Sequence, residues 1–119
     1  MKKIVLQTGK GRTKVGLSAQ WIGSDLVVLL SNSRGHLGAV AVADYCRAER
    51  RASTSVLTRL GHKDDAVARE AAHALCRKLR KPVCAIAGIH LDRITEEEIG
   101  SIVRNCRTLV ERLMEKLNP

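Results

Sequence analysis

The chain consists of short apolar runs separated by polar turns, and only two of its segments have helical spacing. Each short run is rich in Val, Leu or Ala and too short for a typical helix, so it predicts a strand. Runs 26–30 and 37–43 flank a polar turn and are interpreted as one central hairpin. Because 37–43 is apolar on both faces, we expect it to be covered on both sides. The predicted strands are residues 2–8, 12–21, 26–30, 37–43, 53–60 and 83–89.

Two longer segments, 64–80 and 96–117, repeat apolar residues at helical spacing. The second is preceded by Thr95 and has Glu98 three residues later, which is the signature of a capping box. Strand 83–89 follows the first helix and is expected to run in the same direction as 53–60, with both helices on one face. The predicted fold is α/β (α+β), a two-layer sandwich with a mixed, mostly antiparallel sheet of about six strands and two long helices.

The composition narrows the class of protein. A chain of 119 residues predicts one domain, 1–119, and an aromatic share of 2% predicts an aliphatic core. Four cysteines without a CxxC pair indicate free thiols in a reducing compartment rather than a disulfide framework or a zinc knuckle. No apolar run reaches the roughly 18 residues of a membrane helix. We therefore expect a cytoplasmic protein.

The net charge of +9 favours an anionic partner, and many of the cations lie in the first third of the chain. Nucleic acid, a phosphorylated ligand, an acidic protein and a merely well-solvated surface all agree with this charge. Nucleic acid is disfavoured because the chain has no recognition motif and no aromatic stacking platform. The basic stretch 9–12 lacks the Lys-Ser/Thr pair of a phosphate loop and is interpreted as a hairpin turn.

Three of the four histidines follow a glycine, directly or one residue later, at the edge of an apolar run. In the predicted topology His36, His62 and His90 meet at one edge of the sheet, where both helices begin. This edge, called the histidine edge below, also receives Arg34, Lys63 and Asp92. Helix N-termini and glycine backbones favour an anion such as phosphate there, whereas the imidazoles with Asp92 would also suit a transition metal. Each histidine could instead be structural, and His73 is expected on the outer face of its helix.

Four blocks in order resemble the LpdD-like family, described as chaperones for prenylated flavin: residues 35–43, 55–58, 61–65 and 87–99. The resemblance extends over about residues 25–105. It implies a fold similar to that of the small proteasome-assembly chaperones, which form dimers. It also implies a non-catalytic protein that binds prenylated flavin mononucleotide, or assists its passage from a flavin prenyltransferase to a UbiD-type decarboxylase and the maturation of that enzyme.

The resemblance and the topology together give a candidate ligand site. His36, Lys63 and His90 are placed nearest the ligand, and Asp92 is placed to orient an imidazole. The glycines would let the backbone approach the ligand. The full predicted set is Arg34, Gly35, His36, Gly61, His62, Lys63, Gly88, His90 and Asp92.

Two other functions agree with the same residues. A small subunit or assembly chaperone would act purely through protein contacts, and a histidine- or metal-dependent enzyme would use the imidazoles in catalysis. No catalytic residue is assigned, because no nucleophile is paired with a base in the sequence. No metal ligand is assigned, because the histidine spacings of 26 and 28 residues match no local ligand pattern. With both helices on one face, the other sheet face must be covered either by the first two strands folded over it or by a second copy of the chain, and we expect a homodimer.

Overall fold

A computed structural model describes residues 3–60 and 64–117, which form six strands and two helices. A 3-10 turn, Gly11–Thr13, connects the first two strands. The helices are α1 (Asp65–Leu79) and α2 (Glu96–Leu117), close to their predicted limits. The strands are β1 (Ile4–Thr8), β2 (Val15–Ile22), β3 (Asp25–Ser31), β4 (Ala39–Cys46), β5 (Arg51–Thr58) and β6 (Val83–Gly88).

The strands form one sheet in the order β1-β2-β3-β6-β4-β5. Only β3 and β6 are parallel neighbours, and the other four pairs are antiparallel. The mixed α+β fold, with a mostly antiparallel six-stranded sheet and two helices, is therefore confirmed. The antiparallel pairing of β4 with β5 is also confirmed. β6 runs in the same direction as β5, as predicted, but β4 lies between them.

The predicted central hairpin is wrong. β3 and β4 are both strands, but β6 lies between them and forms hydrogen bonds with each. The seven residues 32–38 that connect them do not turn tightly but cross the carboxyl end of β6. The physical reason is burial: Val83, Ala85 and Ala87 of β6 are fully buried and its other residues half-buried or buried, so this strand takes the centre.

Both helices lie on one face of the sheet, where every second strand residue is buried. α1 packs over β4, β5 and β6, and α2 packs over β1 and β2. Alanines face each other across the α1 interface, with Ala68 and Ala72 on the helix and Ala41 and Ala85 on the sheet, all fully buried. Small side chains let helix and sheet approach closely, and Leu17, Leu30, Leu75 and Leu113 complete the aliphatic core.

No helix or strand formed by residues 3–60 and 64–117 covers the opposite face of the sheet. β1 and β2 extend the sheet sideways rather than folding over it, so β4 is covered on one side only and the expected double cover is wrong within one chain. Val42 of β4 is 52% exposed and Leu57 of β5 is 78% exposed. We call seven apolar residues that β3, β6, β4 and β5 present on this face the open-face strip: Val27, Leu29, Val40, Val42, Leu57, Cys84 and Ile86.

Candidate functional site

Strand direction brings the connecting loops and both helix starts to one edge of the sheet. β1, β3, β5 and β6 end at this edge, and β2 and β4 begin there. Loops 9–14, 32–38 and 89–95 therefore lie side by side, and α2 begins directly after the last of them. This is the histidine edge expected from the sequence.

Hydrogen bonds join loop 32–38 to the end of β6 and to loop 89–95. The Asn32 side-chain amide donates to the His90 carbonyl oxygen at 2.9 Å, and the His90 amide donates to Asn32 Oδ1 at 3.1 Å. Six residues later, the Gly38 amide donates to the Ala87 carbonyl oxygen at 3.0 Å. The Asn32 side chain thus imitates a strand backbone and holds the two loops at a fixed separation.

Two of the predicted glycines make this crossing possible. A Cβ on Gly35 would overlap the carbonyl oxygen of Gly88, and a Cβ on Gly88 would overlap the carbonyl oxygen of His36. The close approach that these glycines permit is therefore between two segments of this chain. It presses His36 against the end of β6, next to His90.

The predicted convergence of His36 with His90 is confirmed. Their ring centroids are 5.4 Å apart, with the ring planes inclined by 34°. His90 Nε2 lies 2.9 Å from Asp92 Oδ1, and Arg34 Nη1 lies 3.8 Å from Asp92 Oδ2. The hydrogen bond and charge of His90 lower the pKa of Asp92, and Arg34 lowers it further. Four of the predicted site residues thus form one exposed polar cluster.

The other predicted residues are placed differently. Gly61, His62 and Lys63 lie outside the described residues. His73 was expected on the outer face of its helix, and this is wrong. Its side chain is half-buried, and Nδ1 lies 2.9 Å from Thr54 Oγ1 of β5, which ties α1 to the edge of the sheet.

Beside this cluster is a cleft of about 790 Å³, open toward the uncovered face of the sheet. This volume is in the range of sites for small organic ligands. Arg34 and Asp92 of the predicted set line this cleft. The other residues that line it were not predicted to bind a ligand. The cleft residues are Gln7, Gly11, Arg12, Lys14, Gly16, Ser31, Asn32, Ser33, Arg34, Leu91 and Asp92. The sequence signal for these missed residues was the basic N-terminal third, which was interpreted only as charge and as a hairpin turn.

Arg12 fixes one wall of the cleft. Its Nε lies 2.7 Å from Glu98 Oε2, and its Nη2 donates to the Asp92 carbonyl oxygen at 2.7 Å. The predicted capping box is confirmed, because the Glu98 amide donates to Thr95 Oγ1 at 3.1 Å and the Thr95 amide donates to Glu98 Oε1 at 3.0 Å. The Arg12 hydrogen bond, followed by that of the Thr95 amide, lowers the pKa of Glu98 to about 2.

The charge around the cleft is suited to an anion. Lys14 forms no ion pair with any described residue, and Arg34 is only loosely paired with Asp92. Together with Arg12 they place three positive charges around a polar cleft. The negative charge of Asp92 opposes them. Among residues 3–60 and 64–117, no three His, Cys, Asp or Glu side chains are grouped as metal ligands would be. The arrangement is suited to a phosphorylated organic molecule.

No helix in the described part of the chain is long and apolar enough to cross a membrane. A comparison with curated proteins found no match. A comparison with solved structures found a similar chain in the crystal structure of a novel chaperone complex for yeast 20S proteasome assembly. The TM-score is 0.63 and the identity 13%, over 98% of this chain and 94% of that one. The similarity shows a shared fold.

A family model covers nearly the whole sequence. The model for the prenylated flavin chaperone LpdD-like domain matches residues 9–118, which include both helices and every residue of the predicted site. The matched range also includes the cleft residues from Gly11 onward, so only Gln7 of the cleft lies before it. The chain therefore belongs to the family of prenylated flavin chaperone LpdD-like domains.

Proposed function

We propose that this protein binds prenylated flavin mononucleotide at the histidine edge and carries it from a flavin prenyltransferase to a UbiD-type decarboxylase. In this role it is a chaperone and not an enzyme, and it acts in the cytoplasm. The observation that carries the proposal is the cationic cleft of about 790 Å³ at the predicted edge, in a chain that belongs to a prenylated flavin chaperone family.

The chemistry of the edge supports transient binding. His36, His90 and Asp92 are exposed or half-buried side chains that offer hydrogen bonds, and Arg34 offers a charge to the phosphate. A carrier must release its ligand, and an open site with few buried contacts allows a fast dissociation rate. Gly61, His62 and Lys63 stay within the proposed site on the strength of the sequence.

The test has a binding arm and a transfer arm. In the first, flavin mononucleotide and prenylated flavin mononucleotide are titrated into the protein, with flavin fluorescence and melting temperature as readouts. In the second, an apo decarboxylase receives a limiting amount of prenylated flavin with and without the protein. We expect both ligands to raise the melting temperature, and the protein to raise the yield of active decarboxylase.

Arg34→Ala and His36→Ala are the informative variants, and Arg69→Ala on the exposed surface of α1 is the matched control. Loss of the charged Arg34 contact weakens binding by about tenfold or more, and loss of one hydrogen bond from His36 weakens it by about fivefold. The control should bind as the parent protein does. If neither ligand shifts the melting temperature and decarboxylase activation is unchanged, the proposed function is wrong.

A second function, binding of another protein chain through the open-face strip, is favoured by the exposure of this strip and is compatible with ligand binding in the cleft. Leu29, Ile86, Val40 and Leu57 are neighbours on four adjacent strands, so they form a continuous apolar row. Monomeric proteins rarely expose such a row, and a second copy of the chain would cover it. A pure assembly chaperone would use this face and leave the cleft without a ligand.

A further inference from the structure

We propose that the cleft is a bipartite flavin nucleotide site with a flat floor and a cationic wall. The backbone of β2 and β3 at Gly16 and Ser31 forms the floor and takes the ring system. Lys14 and Arg34 form the wall and take the phosphate. The identity of the ligand rests on the proposed function, whereas the division of the site into floor and wall rests on the geometry that follows.

The floor is a row of small residues on the uncovered face of the sheet. Gly16 pairs with Gln7 on one side and with Ser31 on the other, and Ser31 is followed across the sheet by Gly88. β2 and β3 thus present almost no side-chain volume at this level, and the backbone of loop 32–38 covers Gly88 beside them. One row further from the edge, Leu29 projects from the same face and closes the floor.

Gly16 differs from the other glycines near this edge. A Cβ at Gly16 would meet its nearest heavy atoms, the carbonyl oxygens of Leu6 and Ser31, at 3.8 Å, which is ordinary contact. The fold therefore does not require glycine there, unlike Gly35, where a Cβ would overlap Gly88. Glycine inside a strand is unfavourable and often marks a place where a ligand approaches the backbone. The missing side chain leaves space over the floor.

A floor of peptide planes also explains how a chain without Phe can hold a flat ring. None of the eleven described residues that line the cleft is aromatic. A planar ring can instead lie on the flat surface of two hydrogen-bonded strands, with Leu91 at the side of the cleft as apolar contact.

The three cations around the cleft have different roles. Arg12 is already bound to Glu98 and to the Asp92 carbonyl oxygen, so it is a positioning residue that fixes loop 89–95. Lys14 has no ion pair among the described residues, and the Arg34–Asp92 distance of 3.8 Å is a loose contact on exposed side chains. Lys14 and Arg34 are therefore the cations available to a phosphate.

The experiment compares flavin mononucleotide with riboflavin, which has the same ring and no phosphate. Gly16→Val fills the floor, and Ser18→Val places the same side chain on the same face of β2 outside the cleft. We expect Gly16→Val to weaken both ligands by about tenfold or more, at an unchanged or higher melting temperature. Ser18→Val should bind both within about twofold of the parent. Ser31→Leu fills the floor from β3 and replaces Gly16→Val if that variant does not fold.

Lys14→Glu tests the wall, with Lys10→Glu on the same connection as the control. We expect Lys14→Glu to weaken flavin mononucleotide by about tenfold or more and riboflavin by less than about twofold. If a folded Gly16→Val or Ser31→Leu protein binds both flavins like the parent, the floor does not bind the ring system. If Lys14→Glu and Lys10→Glu change the affinity for flavin mononucleotide equally, Lys14 does not bind the phosphate.

The two proposals fail in different ways. If the variants lose flavin as expected but the parent protein does not activate a decarboxylase, the site stands and the carrier function is wrong. If Gly16→Val and Lys14→Glu activate the decarboxylase and bind flavin like the parent, the carrier function stands and this site is wrong. A parent protein that binds neither flavin mononucleotide nor prenylated flavin mononucleotide, and that leaves decarboxylase activation unchanged, overturns both.

Discussion

Single residues at the histidine edge connect segments of the chain that are far apart in sequence. Glu98 completes the capping box with Thr95, and it also binds Arg12, which lies 86 residues earlier. The capping box was predictable because its residues are local and three positions apart. The Arg12 contact was not, because nothing in the pattern around residue 12 shows which helix start it will face.

Glu98 gives a prediction about acid stability. Its pKa of about 2 in the folded protein is below the ordinary value of 4.5, so the folded state favours the ionised form. The stabilisation is complete above the ordinary value and is lost as the pH falls toward the folded pKa. Thermal unfolding should show that Glu98→Gln lowers the melting temperature at neutral pH. Between about pH 5 and about pH 2, the melting temperature of Glu98→Gln should fall less than that of the parent protein.

Glu97→Gln is the control, because Glu97 is exposed in the same turn and has no ion pair with a described residue. It removes one negative charge without removing the contact with Arg12. Equal pH profiles for Glu98→Gln and Glu97→Gln would show that the Arg12–Glu98 pair does not stabilise the fold.

At the scale of elements, the sequence predicted which segments are strands and helices better than it predicted their neighbours. Alternation identified β2 and continuous apolarity identified β6, because each pattern reports local burial. Strand order depends on contacts between distant segments, so the insertion of β6 between β3 and β4 was missed. Convergence of His36 and His90 was still predicted correctly, since it depends on strand direction at the edge.

The crossing of loop 32–38 over β6 gives an element-scale prediction. A Cβ at Gly35 would overlap a backbone oxygen of Gly88, and backbone cannot move aside as a flexible side chain can. We expect Gly35→Ala to lower the free energy of unfolding by about 1–3 kcal/mol, measured by urea denaturation. Gly16→Ala is the control, since a Cβ there meets ordinary contacts only. If the two variants are equally stable, the crossing is looser than the structure shows.

At the scale of the whole molecule, the cleft and the open-face strip lie on the same uncovered face. Gly16 and Ser31 form the row nearest the histidine edge, and the apolar strip begins at Leu29, in the next row of the sheet. A second copy seated on the strip would therefore border the cleft without needing to fill it. Ligand binding and dimerisation are then compatible, which joins the two proposed functions in one molecule.

The homodimer is tested by placing a charge in the centre of the strip. Val42 is 52% exposed and pairs with Cys84 of the central strand, so a carboxylate there would be buried without a partner in a dimer. Light scattering should give the parent protein a mass twice the 13.0 kDa of one chain, and Val42→Asp a mass near one chain. Ala66→Asp, exposed in the first turn of α1 on the other layer, should stay dimeric. A monomeric parent protein would show that a second copy does not cover this face, and the homodimer would be wrong.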